Sequence, residues 1–162
     1  MTLAEEFAPL LARPWLLVGV GSDLRGDDAF GPLLARRLAG EGFPALDGGT
    51  SPESLTGPIL RCGAEVLLFA DVGSLGAPAG TLRLLPASAV PPGGSSTHDP
   101  SLGLLVAYLE AQRPFTAHVL VVEPARMGLG EPVSAEVAAA VDRAAGAFRA
   151  ARLRCSRIFP TP

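Results

Sequence analysis

Residues 16–32 read LLVGVGSDLRGDDAFGP and join an apolar run to closely spaced glycines and three aspartates. The continuous apolar run over 15–21 is typical of a strand that is buried on both faces of a parallel sheet. A helical pattern follows over 28–38. This strand–loop–helix unit predicts the first step of an α/β fold, with the aspartates in its connecting loop.

Size and composition predict one globular domain. The chain has 162 residues, of which 48% are hydrophobic, enough for one well-buried core and too few for two ordinary domains. We expect the domain to cover residues 1–153 and a frayed C-terminal tail to cover 154–162. A net charge of -3 offers no basic face for nucleic acid.

The sequence predicts neither a membrane span nor a leader. No apolar run reaches the roughly 18 residues that cross a bilayer, and acids stand near the N-terminus where a signal peptide has basic residues. We therefore expect a cytoplasmic protein with no nucleic-acid partner and no membrane insertion.

Apolar and turn-rich segments alternate along the rest of the chain, and this alternation decides the fold class. It predicts a three-layer α/β/α sandwich with a mostly parallel, twisted sheet. The short connection between residues 71 and 80 allows a hairpin, so we expect one antiparallel edge strand. The predicted further strands cover 43–46, 65–71, 80–85 and 118–122, and the predicted further helices cover 2–12, 52–62, 102–111 and 134–153.

Polar side chains follow the predicted strands. Asp28 follows the first strand, Asp47 ends the second, Asp71 ends the third, and His98 lies in a proline- and glycine-rich loop over 86–100. Ligands of open α/β sheets bind at the carboxyl ends of the strands, near the point where the strand order reverses. One histidine with two carboxylates is a ligand set for a divalent metal and leaves positions open for water or substrate.

Structural roles compete with this metal hypothesis, because scattered Asp and His side chains occur in almost any domain. Asp27 is interpreted as a helix N-cap, and Asp28 and Asp71 could act only as a first-turn acid and a turn cap. His98 could be a solvated loop residue. His118 falls within a strand pattern and is interpreted as a packed histidine.

Several motifs, in the right order, make the chain resemble the hydrogenase maturation endopeptidases, most closely the branch that serves formate-hydrogenlyase-type enzymes. The resemblance spans roughly residues 15–150. The family usually has Asn after the second glycine at the end of the first strand, where this chain has Ser22. It often has another acid three residues after the aspartate of the third strand, where this chain has Ser74. The motifs are LVGVGS (17–22), GDDAFGPLL (26–34), DGGTSPE (47–53), FAD (69–71), GTLR (80–83) and TH (97–98).

This resemblance implies an endopeptidase that removes a short C-terminal peptide from the precursor of a nickel-iron hydrogenase large subunit after nickel insertion. The family's metal-contacting, catalytic residues match Asp28, Asp71 and His98. The turn formed by Gly48, Gly49 and Thr50 matches a segment near the family's cleft and is a candidate for substrate docking. Nickel would arrive with the precursor, so we expect no tightly held resident cofactor.

Two other functions remain open at this point. The first is a Rossmann-like nucleotide-binding module, since Gly19 and Gly21 follow a strand and Asp47 stands where a ribose-binding acid would lie. Against it, Leu24 replaces the third glycine of that fingerprint, and the aspartates would repel phosphate. The second is a maturation factor that binds the precursor without cutting it.

Overall fold

The computed structural model describes residues 1–89 and 99–158, which form one sheet flanked by helices. Its strands are β1 (Trp15–Val20), β2 (Ala45–Gly49), β3 (Val66–Val72), β4 (Leu82–Pro86) and β5 (Thr116–Val122). Its α-helices are α1 (Leu3–Leu11), α2 (Phe30–Gly40), α3 (Thr56–Arg61), α4 (Asp99–Gln112) and α5 (Ala135–Ile158). Short 3-10 helices cover Gly26–Ala29, Pro52–Leu55 and Ala87–Ala89. None of the helices within these ranges is long and apolar enough to span a membrane.

The strand order is β2-β1-β3-β5-β4, with every pair parallel except β4 and β5. The predicted α/β class and the antiparallel edge strand are confirmed. The predicted hairpin between β3 and β4 is wrong, because β5 lies between them and is the strand that pairs with β4. From β1 the chain moves to β2 on one side and then to β3 on the other, so the strand order reverses between β1 and β3.

Alternate residues of the strands feed two hydrophobic layers, which explains the unbroken apolar runs. Leu17 and Leu68 face a layer built with α1, α2 and α5, while their neighbours Val18 and Phe69 face a layer built with α3 and α4. Burial on both faces is the property that the sequence pattern predicted for parallel strands.

Helix α2 is seated directly on the sheet through glycines. A Cβ on Gly19 of β1 would overlap the carbonyl group of Gly31, and a Cβ on Gly31 would overlap the carbonyl oxygens of Val20 and Ala70. The first turn of α2 therefore rests on the backbones of β1 and β3. This contact places the preceding 3-10 helix over the point where the strand order reverses.

Several helix boundaries differ from the sequence prediction, among them the end of α5 and the start of α4. Helix α5 continues to Ile158, so the predicted start of a C-terminal tail at residue 154 falls inside the helix. The added residues 154–158 read Arg-Cys-Ser-Arg-Ile and contain neither proline nor glycine, so they include no residue that breaks a helix. Helix α4 begins at Asp99, three residues earlier than predicted.

Candidate active site

Asp28 and Asp71 lie at the carboxyl edge of the sheet, beside the ends of β1 and β3, between which the strand order reverses. Asp28 belongs to the 3-10 helix after β1, and Asp71 is the penultimate residue of β3. Their exposed fractions are only 1% and 4%. The Ser22 N–H donates to Asp28 Oδ2 at 3.0 Å, and the Val72 N–H donates to Asp71 Oδ1 at 2.8 Å. The site thus holds two oriented, nearly buried carboxylates, a chemistry suited to a cation.

Gly21 makes the position of Asp28 possible. Its φ of 140° lies outside the range of ordinary side-chain-bearing residues, and a Cβ there would overlap the carbonyl oxygen of Asp28. The 3-10 helix can therefore pack against the end of β1. Next to it, the Ser22 Oγ accepts from the Leu24 N–H at 3.2 Å, so the Ser22 side chain hydrogen-bonds within the loop.

His98, the third predicted metal ligand, lies outside the described residues. The guanidinium of Arg113 donates to the carbonyl oxygen of Ala64, just before β3, at 2.7 Å, so α4 ends at the amino edge of the sheet. Fourteen helical residues span about 21 Å, which puts the first residue of α4, Asp99, at the carboxyl edge. Among the side chains that the structure describes, no three histidine, cysteine, aspartate or glutamate residues form a metal-binding group.

The predicted docking turn consists in the structure of Gly48 and Gly49, the last two residues of β2, and the following Thr50, and it lies at the same edge. The Gly49 carbonyl oxygen accepts from the Gly21 N–H at 2.9 Å, which ties the turn to the end of β1. Thr50 is exposed. The structure therefore brings the predicted docking turn beside the loop that carries Asp28.

Asp47, the residue considered above as a ribose-binding acid, is part of an ion-pair bridge. Arg36 of α2 donates to Asp47 Oδ2 at 2.7 Å, and Asp47 Oδ1 accepts from the Gly49 N–H at 2.9 Å. Arg36 also pairs with Asp23, at 2.8 Å. Both carboxylate oxygens of Asp47 therefore accept hydrogen bonds from other groups of the protein. This structural role explains the position of Asp47 without a nucleotide.

Asp27 is fully buried and does not cap its own helix, so the N-cap interpretation is wrong. Its carboxylate accepts from the N–H groups of Ala125 at 2.7 Å, Arg126 at 3.0 Å and Ser134 at 2.7 Å, and from Ser134 Oγ at 2.9 Å. Burial acts to raise the pKa of Asp27, but these hydrogen bonds outweigh it and hold the pKa below its usual value. The partners lie about a hundred residues further along the chain, and no local pattern could have revealed them.

His118 is a packed strand residue, as predicted. It lies in β5 opposite Leu68 and Pro86, nearer the amino edge of the sheet than Asp71. Its side chain is half-buried, and burial lowers its pKa. It therefore stands apart from the carboxylates at the carboxyl edge.

The chain matches the family model HycI, described as a hydrogenase maturation protease, over residues 32–150. It is 27% identical to the NiFe hydrogenase maturation protease HycI from Thermococcus kodakarensis, with a TM-score of 0.74 over 95% of this chain and 96% of that one. It is 25% identical to the endopeptidase HycI from Escherichia coli, with a TM-score of 0.74 over 87% and 91% of the two chains.

The same fold occurs in the hydrogenase maturating endopeptidase HybD from Escherichia coli, which is 24% identical with a TM-score of 0.73 over 87% of this chain and 93% of that one. A search of curated protein sequences found no significant match. The match to the family model covers most of the chain. The protein is a peptidase and belongs to the HycI family of hydrogenase maturation proteases.

Proposed function

We propose that this peptidase removes a C-terminal peptide from the precursor of a nickel-iron hydrogenase large subunit after nickel has been inserted. The observation that carries the proposal is the pair of nearly buried carboxylates, Asp28 and Asp71, at the reversal point of the sheet. We propose that the protein acts in the cytoplasm, as expected from the sequence.

The carboxylates are suited to recognising a metal that the substrate carries. Oxygen and imidazole ligands bind divalent first-row metals, and an incomplete set leaves room for groups that the precursor brings. The N–H groups of Ser22 and Val72 each fix one oxygen of a carboxylate. The two carboxylates can therefore rotate little to fit a different metal. The nickel of the substrate would polarise the scissile carbonyl or activate a water, so a serine or cysteine nucleophile is not needed.

His98 is proposed as the third metal-contacting residue. The support is the chain connection, since His98 directly precedes Asp99, the first residue of α4. That helix covers the sheet face that carries Phe69 and Val121, and Asp71 lies on the same face by strand alternation. Asp99, the residue that follows His98 in the sequence, lies at the carboxyl edge.

The turn formed by Gly48, Gly49 and Thr50 is proposed to dock the precursor chain. Its support is the hydrogen bond from Gly21 to Gly49, which sets the turn beside the loop of Asp28. A backbone turn with an exposed threonine offers peptide groups and a hydroxyl to an extended substrate.

The decisive experiment compares nickel-loaded with nickel-free precursor and follows the C-terminal mass by mass spectrometry. We expect loss of a short peptide from the loaded precursor only. Asp28→Asn and Asp71→Asn should each abolish cleavage, because the amide oxygen is a much weaker metal ligand than a carboxylate. Asp142→Asn, on the exposed face of α5, serves as the control and should cleave normally.

Equal cleavage of loaded and nickel-free precursor would contradict nickel recognition. No cleavage by the wild-type enzyme, with precursor binding retained in Asp28→Asn, would instead point to a maturation factor that binds without cutting.

A further inference from the structure

Two adjacent arginines on α2 make similar ion pairs in different parts of the molecule. Arg36 donates to both oxygens of Asp23, at 2.8 and 3.1 Å, and to Asp47 Oδ2 at 2.7 Å. It therefore links the loop after β1 to the end of β2. Arg37 pairs with Glu41 at 3.4 Å and with Asp142 of α5, on the side of α2 away from the carboxyl edge.

From Arg36 a series of hydrogen bonds, joined by short stretches of the chain, leads to the Asp28 carboxylate. Asp47 accepts from the Gly49 N–H, and the Gly49 carbonyl oxygen accepts from the Gly21 N–H, each at 2.9 Å. The next peptide N–H, that of Ser22, donates to Asp28 Oδ2 at 3.0 Å. Between the Asp47 and Asp28 carboxylates the series passes through backbone groups alone, and these have little freedom to compensate if one end moves.

The bridge contributes to geometry more than to stability. The Arg36 side chain is 44% exposed, and ion pairs this exposed to water stabilise a fold weakly. A guanidinium holds several donors in one rigid plane and can bind two carboxylates at once, whereas an ammonium group is a single point charge.

We propose that Arg36 is a positioning residue for the reaction. By clamping Asp23 to Asp47 it fixes the Gly48–Thr50 turn and, through Gly21 and Ser22, the orientation of the Asp28 carboxylate. The inference rests on the proposed function, since it assigns these two features to the precursor and its nickel.

The test compares Arg36→Ala, Arg36→Lys and Arg37→Ala by steady-state cleavage of nickel-loaded precursor. Arg37 is the matched control, because it lies on the same helix, is 40% exposed and also pairs with two acids. We expect kcat/KM to fall about 10- to 100-fold in Arg36→Ala, the size of effect that a small misplacement of catalytic groups produces. Arg36→Lys should recover only part of the loss, Arg37→Ala should stay within about twofold of wild type, and the two alanine variants should melt within a few degrees of each other.

A second readout is independent of cleavage. In two-dimensional amide NMR spectra, the signals of Gly21, Ser22 and Gly49 should shift in Arg36→Ala and stay in place in Arg37→Ala. A double-mutant cycle uses kcat/KM again. Once Asp47→Asn has lowered kcat/KM, adding Arg36→Ala should lower it little further.

Equal effects of Arg36→Ala and Arg37→Ala, or unmoved amide signals in Arg36→Ala, would overturn the positioning role. Failure of the wild-type enzyme to cleave loaded precursor would overturn the proposed function, and the amide signals would then decide the role of Arg36 alone.

Discussion

Asp27 binds Ser134 through two hydrogen bonds, from the backbone N–H at 2.7 Å and from the hydroxyl at 2.9 Å, although the residues stand 107 positions apart. Ser134 directly precedes α5, and its hydroxyl in turn accepts from the Val137 N–H at 3.3 Å. The buried carboxylate thus fastens the start of the last helix to the loop that also carries Asp28. Asp27 belongs to the framework of the site, and its neighbour Asp28 belongs to the proposed chemistry.

Asp27→Asn should therefore destabilise the protein, by about 3 kcal/mol, because an amide turns its own NH2 group toward N–H donors and leaves buried groups unsatisfied. The midpoint of urea unfolding measures this. Asp142→Asn, an exposed change on α5, should shift the free energy of unfolding by less than about 0.5 kcal/mol. An Asp27→Asn protein as stable as wild type would show that the buried carboxylate has no structural role.

Acid should act through the same carboxylate. The pKa of Asp27 is lower in the folded chain than in the unfolded chain, so its contribution to stability is present above the unfolded value of about 3.9 and is lost as the pH falls through the lowered pKa. Urea midpoints between pH 6 and pH 3 should fall for wild type below about pH 4. They should fall less steeply for Asp27→Asn, and parallel curves would contradict the assignment.

His118 should produce a second pH effect nearer neutrality. Burial lowers its pKa, so below the unfolded value of about 6.5 the unfolded chain binds a proton that the folded chain resists. The free energy of unfolding should then decrease from pH 7.5 to pH 5.5, and His118→Gln should decrease less over that range. If the difference between the two proteins stays constant with pH, His118 does not titrate abnormally.

The contact of α2 with the sheet predicts opposite effects for two glycines of one helix. Gly31→Ala should cost more than about 3 kcal/mol, because its Cβ would overlap backbone carbonyl groups that cannot move aside. Gly40→Ala should stabilise the protein by about 0.5–1 kcal/mol, since nothing lies within 4 Å of its added Cβ and alanine favours helix. Chemical denaturation of both variants measures the contrast, and a mild Gly31→Ala would mean that α2 can lift from the sheet.

Local patterns in the sequence were sufficient for most of the fold. The five strands could be predicted from apolar runs between turns, because burial on both faces produces an apolar pattern within a few residues. Asp71 could be placed at the carboxyl edge because it stands at the end of one such run. The pairing of β4 was mispredicted, since a short connection allows a hairpin but does not exclude a strand entering between its arms. Strand order depends on distant contacts that no short window contains.

The same limit explains the site residues that sequence reasoning missed. Asp23, Asp27 and Asp47 look alike as loop acids, yet two bind Arg36 and one binds Ser134. Their partners lie on other elements, so only the folded chain separates a framework carboxylate from a candidate ligand. Asp28 and Asp71 were singled out by the family resemblance and by their place at the strand ends.

The contact between Gly19 and Gly31 has a consequence for how this protein tolerates change. Since the two backbones approach closely there, the spacing between α2 and the sheet is set at this point mainly by atoms that every residue shares, with the Cβ of Ala35 beside them. Asp28 lies two residues before α2, so this backbone contact also sets the distance between Asp28 and the sheet.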